Sequence, residues 1–144
     1  MDKGNQSYAT QMKKMWDDCH GCCWFSSWEL DGAIRYATQA VSQATGLPVD
    51  RDAALRLGER IINLQRLLSL YLGFDPRAEF DLGARVSGPV PSGPAEGWAL
   101  GPHLNEMREE YYAAAGWDPV TGAPAPAKDT FTETAVTVSM TTAM

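Results

Sequence analysis

The stretch DRDAALRLGERIINLQRLLSLYLG, residues 50–73, carries the clearest helical pattern in the chain. Its apolar residues recur every three or four positions, which is the spacing of one helix face. An aspartate at position 50 or 52 can cap the first turn, and Gly73 can end the last one. We expect the apolar stripe to face the core and the charged residues beside it, such as Arg66, to lie on its flanks. The stripe comprises Leu57, Ile61, Leu64, Leu68 and Tyr71, widened by Ile62 and Leu67.

Two further helices are predicted on either side of this stretch. The first spans residues 29–45, repeats Ile34, Ala37, Val41 and Ala44 on one face, and stops before Gly46-Leu47-Pro48. The second begins near Pro102, repeats Leu104, Met107, Tyr111 and Ala115, and ends at Gly116. Residues 74–101 lack periodicity and predict a long irregular loop. The expected fold is therefore all-α, a small bundle of three to four helices.

The two ends of the chain are less patterned than its middle. Residues 1–15 are polar and predict an N-terminal arm, either frayed or a short helix. Residues 16–122 form the expected helical domain. Residues 123–144 are Pro/Ala-rich and then Thr-rich, which predicts a poorly ordered, low-complexity tail, with an edge strand over 134–140 as the alternative.

Composition excludes several classes of function. With 144 residues, 44% hydrophobic and 21% charged, the chain can form one domain with a modest core. Its formal net charge of -6 disfavours binding to nucleic acid. It contains no run of about 18 apolar residues that would span a membrane, and its first residues lack the apolar core of a signal peptide. We therefore expect a cytoplasmic protein that binds neither nucleic acid nor membrane.

The chemistry is concentrated in WDDCHGCC, residues 16–23, which holds all three cysteines, one of the two histidines and two carboxylates. Thiols stay reduced in the cytoplasm, so this cluster indicates metal or redox chemistry rather than a disulfide framework.

Four interpretations of the cysteines remain open on these grounds. Cys19 and Cys22 have the C-x-x-C spacing of a zinc site, which would need Cys23, His20 or His103 as further ligands. A thioredoxin-like dithiol would need a preceding strand, and none is predicted. One or two of the thiolates could ligate an iron–sulfur cluster completed by another segment. The last interpretation is three inert cysteines buried in a helix interface.

Several short motifs occur in a distinctive order along residues 16–124: Asp18-Cys19-His20-Gly21-Cys22-Cys23, Gly58-Glu59-Arg60, Asn63-Leu64-Gln65-Arg66, Asp81 with Arg85, Tyr111-Tyr112, Gly116-Trp117-Asp118, and Thr121-Gly122 with Pro124. In this order they resemble the C-terminal helical region of the aldehyde ferredoxin oxidoreductase family of tungsten enzymes.

The resemblance implies specific roles for the first motif, which reads Asp-x-x-Gly-x-Cys in the family. Cys23 becomes one ligand of a 4Fe-4S cluster. Asp18 becomes a hydrogen-bond acceptor for a tungstopterin or molybdopterin, approached also by the backbone at Gly21 and Cys22. Cys19 and His20 fall at variable positions and receive no role. The activity implied is oxidation of an aldehyde to a carboxylic acid, with ferredoxin as electron acceptor.

The resemblance also implies that the chain does not act alone. The family's N-terminal cofactor domain and its three other cluster cysteines have no counterpart here, so the chain looks like a detached C-terminal domain. It would be active only with a larger cofactor-carrying chain or N-terminal segment. The rival interpretation is a small non-catalytic module that binds zinc or another protein, and the third is a non-functional fragment.

Overall fold

The computed structural model describes residues 2–26, 30–80 and 82–125. Within these ranges the chain forms five α-helices: α1 Lys3–Cys19, α2 Leu30–Thr45, α3 Arg51–Tyr71, α4 Ala84–Ser87 and α5 Leu104–Ala115. Four of them are long, α4 is a single turn, and the only β-pairing in the described ranges consists of isolated bridges. The prediction of an all-α bundle of three to four helices is confirmed.

Helix α1 is the centre of the bundle and packs against both α3 and α5. It contains residues 3–15 of the N-terminal arm, which was expected to be either frayed or a short helix, and the expected domain boundary at residue 16 falls inside it. Helix α1 is mostly polar, yet it supplies two buried aromatic side chains, Tyr8 and Trp16. These two aromatic side chains anchor the helix in the core. The weak apolar repeat of the sequence did not predict their burial.

Two glycines allow the neighbouring helices to approach α1 closely. A Cβ atom at Gly58 of α3 would lie 2.0 Å from the backbone oxygen of Met12. A Cβ at Gly4 of α1 would lie 2.3 Å from the backbone oxygen of Met107 in α5. Both distances are far inside van der Waals contact, so the interhelical spacing depends on the absence of a side chain at these positions.

The predicted ends of α3 are confirmed, and its predicted buried face is correct at Ile62 but wrong in the C-terminal half of the helix. The Asp50 side chain accepts a hydrogen bond from the Ala53 N–H at 2.7 Å, and Gly73 adopts a positive φ of 88° after the last turn. The buried residues of α3 are Ala54, Gly58, Ile62, Asn63 and Arg66. By contrast, Leu64, Leu68 and Tyr71 are 58%, 54% and 85% exposed. Small residues at 54 and 58 determine which face meets α1, because only that face admits a close neighbour.

The core consists of two hydrophobic clusters, one at each end of α1. The first joins Tyr8, Ile62, Tyr112, Ala115 and Trp117 from α1, α3 and α5. The second joins Trp16, Ile34 and Ala54, with Ala37 and Val41 of α2 packed against them. The predicted apolar face of α2 is thus largely correct, although Ala44 is exposed.

The loop and the C-terminal part of the domain match their prediction in outline. Between α3 and α5 lie a 3-10 helix at Pro76–Phe80, the short α4 and one isolated bridge between Pro89 and Ala99. A 3-10 turn, Gly101–His103, leads into α5, which ends at Gly116 with a left-handed φ of 65°. The predicted tail beyond residue 125, including the alternative strand at 134–140, lies outside the described residues.

Candidate functional site

The cysteine motif forms the turn that follows α1. Cys19 is the last helical residue, and the chain reverses at Gly21, whose φ is 73°. The Cys22 N–H then donates to the carbonyl of Asp17 at 2.9 Å. A Cβ at Gly21 would have no neighbour within 4 Å, so the glycine is needed for its left-handed backbone and leaves open space in front of the turn.

All three cysteines of the turn are free thiols and none is fully buried. Cys19 and Cys23 are exposed and Cys22 is half-buried. The Cys22 Sγ lies 3.5 Å from the Ser26 Oγ, and Ser26 donates to the Cys23 carbonyl from both its hydroxyl, at 2.7 Å, and its N–H, at 2.9 Å. The interpretation of inert cysteines filling a helix interface is therefore wrong. The C-x-x-C also closes a helix, whereas a thioredoxin-like motif opens one.

The other polar residues of the motif have local partners. Asp18 is half-exposed and forms an ion pair with Lys14 one turn earlier. The His20 Nδ1 lies 2.9 Å from the carbonyl of Asp17, and its ring packs edge-on against Trp16 with centroids 4.9 Å apart. His20 thus helps to shape the turn.

A buried ion pair underlies this turn and was not singled out from the sequence. Lys13 Nζ lies 2.6 Å from the Asp17 carboxylate, and the two side chains are 0% and 1% exposed. The same ammonium group lies 5.0 Å from the centre of the Trp24 ring. The i,i+4 spacing of Lys13 and Asp17 was visible in the sequence, but the spacing alone does not distinguish it from the neighbouring exposed pair.

Residues from four of the other motifs meet around one guanidinium group at the other end of the bundle. Arg66 is buried and donates to the Tyr112 hydroxyl at 2.5 Å and to the Gly122 carbonyl at 2.8 Å, and it pairs with Glu79 at 2.5 Å. Its guanidinium group also lies 4.7 Å from the centre of the Trp117 ring. Arg66 is therefore buried rather than solvated, because these partners replace water around it.

This network joins α3 to Glu79 and to the segment from Tyr112 to Gly122. The Trp117 indole N–H donates to Asn63 Oδ1 at 2.8 Å, which links the end of α5 to α3. Burial raises the pKa of Tyr112, and its hydrogen bond to Glu79 adds to the shift, while Arg66 opposes it. The Asn-Leu-x-Arg, Tyr-Tyr, Gly-Trp-Asp and Thr-Gly motifs therefore meet in one structural unit. Asp81 of the remaining motif lies outside the described residues.

A shallow apolar groove of about 510 Å³ lies beside the cysteine turn. It runs along α2 and is lined by His20, Cys22, Ser26, Tyr36, Ala37, Ala40, Val41 and Ala44. Tyr36, which lines the groove, and Phe25, which precedes Ser26 in the chain, are largely exposed. The thiol side of the turn thus borders apolar surface.

The donor set fits one ligand of a cluster better than a closed metal site. In the described residues, no group of three or more His, Cys, Asp or Glu side chains is placed to hold a metal ion. His103, the distant zinc ligand considered above, stacks on Trp98 with centroids 5.6 Å apart. A single exposed thiol such as Cys23 suits a cluster whose other ligands come from elsewhere, because a 4Fe-4S cluster takes four thiolates.

Comparison with known proteins identifies the class. Residues 1–130 match the family described as "Aldehyde ferredoxin oxidoreductase, domains 2 & 3", and the chain belongs to this family. The tungsten-containing aldehyde ferredoxin oxidoreductases of Pyrococcus horikoshii, Pyrococcus abyssi and Thermococcus kodakarensis are 39%, 37% and 36% identical to it over 101 residues.

The aligned region covers 69% of this chain but only 16% of each of these relatives. The chain thus spans about a sixth of their length. No solved structure matches the chain. None of the helices in the described ranges is both long and apolar enough to cross a membrane.

Proposed function

We propose that this chain is the C-terminal part of a tungsten-dependent aldehyde:ferredoxin oxidoreductase-like enzyme, acting in the cytoplasm. The observation that carries the proposal is the exposed Cys23 thiol on the turn built by the Asp18–Cys23 motif. Family membership supplies the chemical context. The tungstopterin would oxidise an aldehyde to a carboxylic acid, and the cluster would pass the electrons to ferredoxin.

Each residue of the turn has a distinct role in this proposal. Cys23 supplies one thiolate to the 4Fe-4S cluster. The half-exposed Asp18 carboxylate accepts hydrogen bonds from the pterin (tungstopterin, with molybdopterin as the alternative), since its oxygens have capacity beyond Lys14. The open space before Gly21 lets a flat ring approach the backbone. The Cys22 N–H is already bonded to Asp17, so Cys22 offers its carbonyl oxygen.

The count of ligands means that the chain is inactive by itself. Its three cysteines lie within five residues on one turn, where they cannot occupy four corners of a cluster. The missing thiolates and most of the pterin site must come from a larger cofactor-carrying part, on the same or a second polypeptide. The short span relative to the curated relatives supports this dependence.

The exposed apolar surface of α3 offers a docking face for that larger part. We define the α3 apolar face as Leu64, Leu67, Leu68, Tyr71 and Leu72, all of them exposed. Because the opposite face of α3 is already buried against α1, the helix is apolar on both sides, which is typical of a helix buried in a larger structure. The cofactor-carrying part is the proposed occupant, since about five-sixths of the relatives' length has no counterpart in this alignment.

The test compares two cysteine variants in the assembled enzyme. The chain would be produced anaerobically with the cofactor-carrying part, and iron, tungsten and molybdenum would be counted per complex. Cys23→Ser is expected to lose cluster iron and aldehyde oxidation, whereas Cys19→Ser, on the same turn, is expected to keep both. Equal loss from the two variants, or stoichiometric zinc on the chain alone, would refute the proposal and favour a zinc-binding module.

A further inference from the structure

The Lys13–Asp17 pair is the most deeply buried charged group that the proposed function leaves unexplained. Both side chains are essentially inaccessible to solvent, and their charged atoms are 2.6 Å apart. Removing two charges from water is costly, and an apolar pair of similar size often packs as stably. A buried pair in this position therefore suggests a role beyond stability.

The contacts of the pair lie on both sides of the proposed cluster ligand. Before Cys23, the backbone carbonyl of Asp17 accepts from the Cys22 N–H and from the His20 ring, each at 2.9 Å. After Cys23, the Trp24 ring lies 5.0 Å from the Lys13 ammonium group, within range of a cation–π interaction. The two residues of the pair thus contact both neighbours of an exposed thiol, Asp17 through its backbone carbonyl and Lys13 through its charge.

We propose that Lys13 is a positioning residue that holds the Cys23 thiol outward, toward the iron–sulfur cluster. The purpose of this positioning rests on the proposed function, but the geometry does not. Lys13 fixes the end of α1 through Asp17 and the start of the next turn through Trp24. Cys23, between these two anchors, keeps one orientation without being buried.

Charge gives the pair a directional role that an apolar side chain would lack. An ammonium group attracts both a carboxylate and the face of an aromatic ring, so it ties Asp17 and Trp24 to one point. The adjacent pair Lys14–Asp18 provides a matched comparison, since it has the same spacing on the same helix but is 37% and 50% exposed. Because the Lys14–Asp18 pair is solvated, we expect that it does not order the thiol.

The experiment measures the mobility of Cys23 directly, without any cofactor. In a Cys19→Ser/Cys22→Ser background, a nitroxide spin label is attached to Cys23 of the full chain and its EPR line shape is recorded. Lys13→Met is expected to free the label, with about a twofold or greater drop in its rotational correlation time on the nanosecond scale. Lys14→Met should leave the line shape unchanged, and Lys13→Arg should restore most of the order.

A second variant keeps the test decisive if Lys13→Met does not fold. Trp24→Leu removes the aromatic anchor and leaves the ion pair in place, so it should also mobilise the label while circular dichroism stays unchanged. Unaltered mobility in folded Lys13→Met or in Trp24→Leu, or equal mobilisation by Lys14→Met, would overturn the positioning role.

The two proposals can fail separately. Mobilisation by Lys13→Met, together with a Cys23→Ser complex that keeps its iron, would support the positioning role and refute the cluster ligand. Loss of iron in the Cys23→Ser complex, without any mobilisation of the label by Lys13→Met, would support the cluster ligand and refute the positioning role. If both proposals hold, the EPR signal of the reduced cluster in the Lys13→Met complex should broaden.

Discussion

Replacing Gly58 with alanine should destabilise the bundle, although the same change in an isolated helix is stabilising. Alanine is favoured over glycine inside a helix by about 1 kcal/mol. Here the added Cβ would lie 2.0 Å from the Met12 oxygen and 2.8 Å from its carbonyl carbon. Both are backbone atoms of α1, so no side-chain rotation can relieve the clash.

The magnitude follows from how far α1 and α3 must separate. Ordinary contact begins at 3.4 Å, so the helices must shift by well over an ångström at this point. Overpacking of this kind costs about 1–3 kcal/mol or more. The separation would also loosen Ile62 and Ala54, which lie one turn away on the same face. We expect a net loss of about 2 kcal/mol after the helix propensity gain is subtracted.

Urea denaturation followed by far-UV circular dichroism measures this change, provided that the slope of the transition is unaltered. Gly83→Ala is the matched control, because a Cβ there would have no neighbour within 4 Å and the backbone φ is -53°. The control should change the unfolding free energy by no more than about 0.5 kcal/mol. If Gly58→Ala equals or exceeds the parent in stability, α1 and α3 are not in contact at this residue.

Two further predictions concern opposite faces of α3. Arg66→Met should lower the unfolding free energy by about 3 kcal/mol, because it leaves the Tyr112 hydroxyl, the Gly122 carbonyl and Glu79 without their shared donor. Thermal or urea unfolding measures this change, and a loss below about 1 kcal/mol would show that the network does not stabilise the fold. The double variant Leu64→Glu/Leu68→Glu should leave the isolated chain within about 0.5 kcal/mol of the parent while abolishing co-purification with the cofactor-carrying part. Loss of stability in the isolated chain would show that this face is part of the core. A shift from dimer to monomer in light scattering would show that a second copy of the chain binds this face.

The local elements of the fold were predictable because their signals are local. Asp50 caps α3 through a hydrogen bond three residues away, and Gly73 and Gly116 end helices by adopting a positive φ. These interactions need only neighbouring residues, so the pattern of capping and turn residues identifies them. The ordered motif residues likewise predicted the family, which the comparisons confirm.

The candidate site was predictable in composition but not in its surroundings. The motif singled out Asp18, Gly21, Cys22 and Cys23, and their cofactor roles remain predictions. Nothing in the motif indicated that Lys13 and Asp17 are buried beneath the turn while Lys14 and Asp18, one residue further on, are exposed. The difference depends on which side of α1 meets α2 and α3.

The sequence by itself determined where α2, α3 and α5 begin and end, and the family. Only the tertiary structure decided which face of each helix is buried. On α3 the C-terminal half of the apolar stripe lies outside, since Gly58 lets α1 approach the other face and Arg66 finds its partners there. Helix ends depend on hydrogen bonds within a few residues, whereas the choice of a buried face depends on the shape and charge of distant segments.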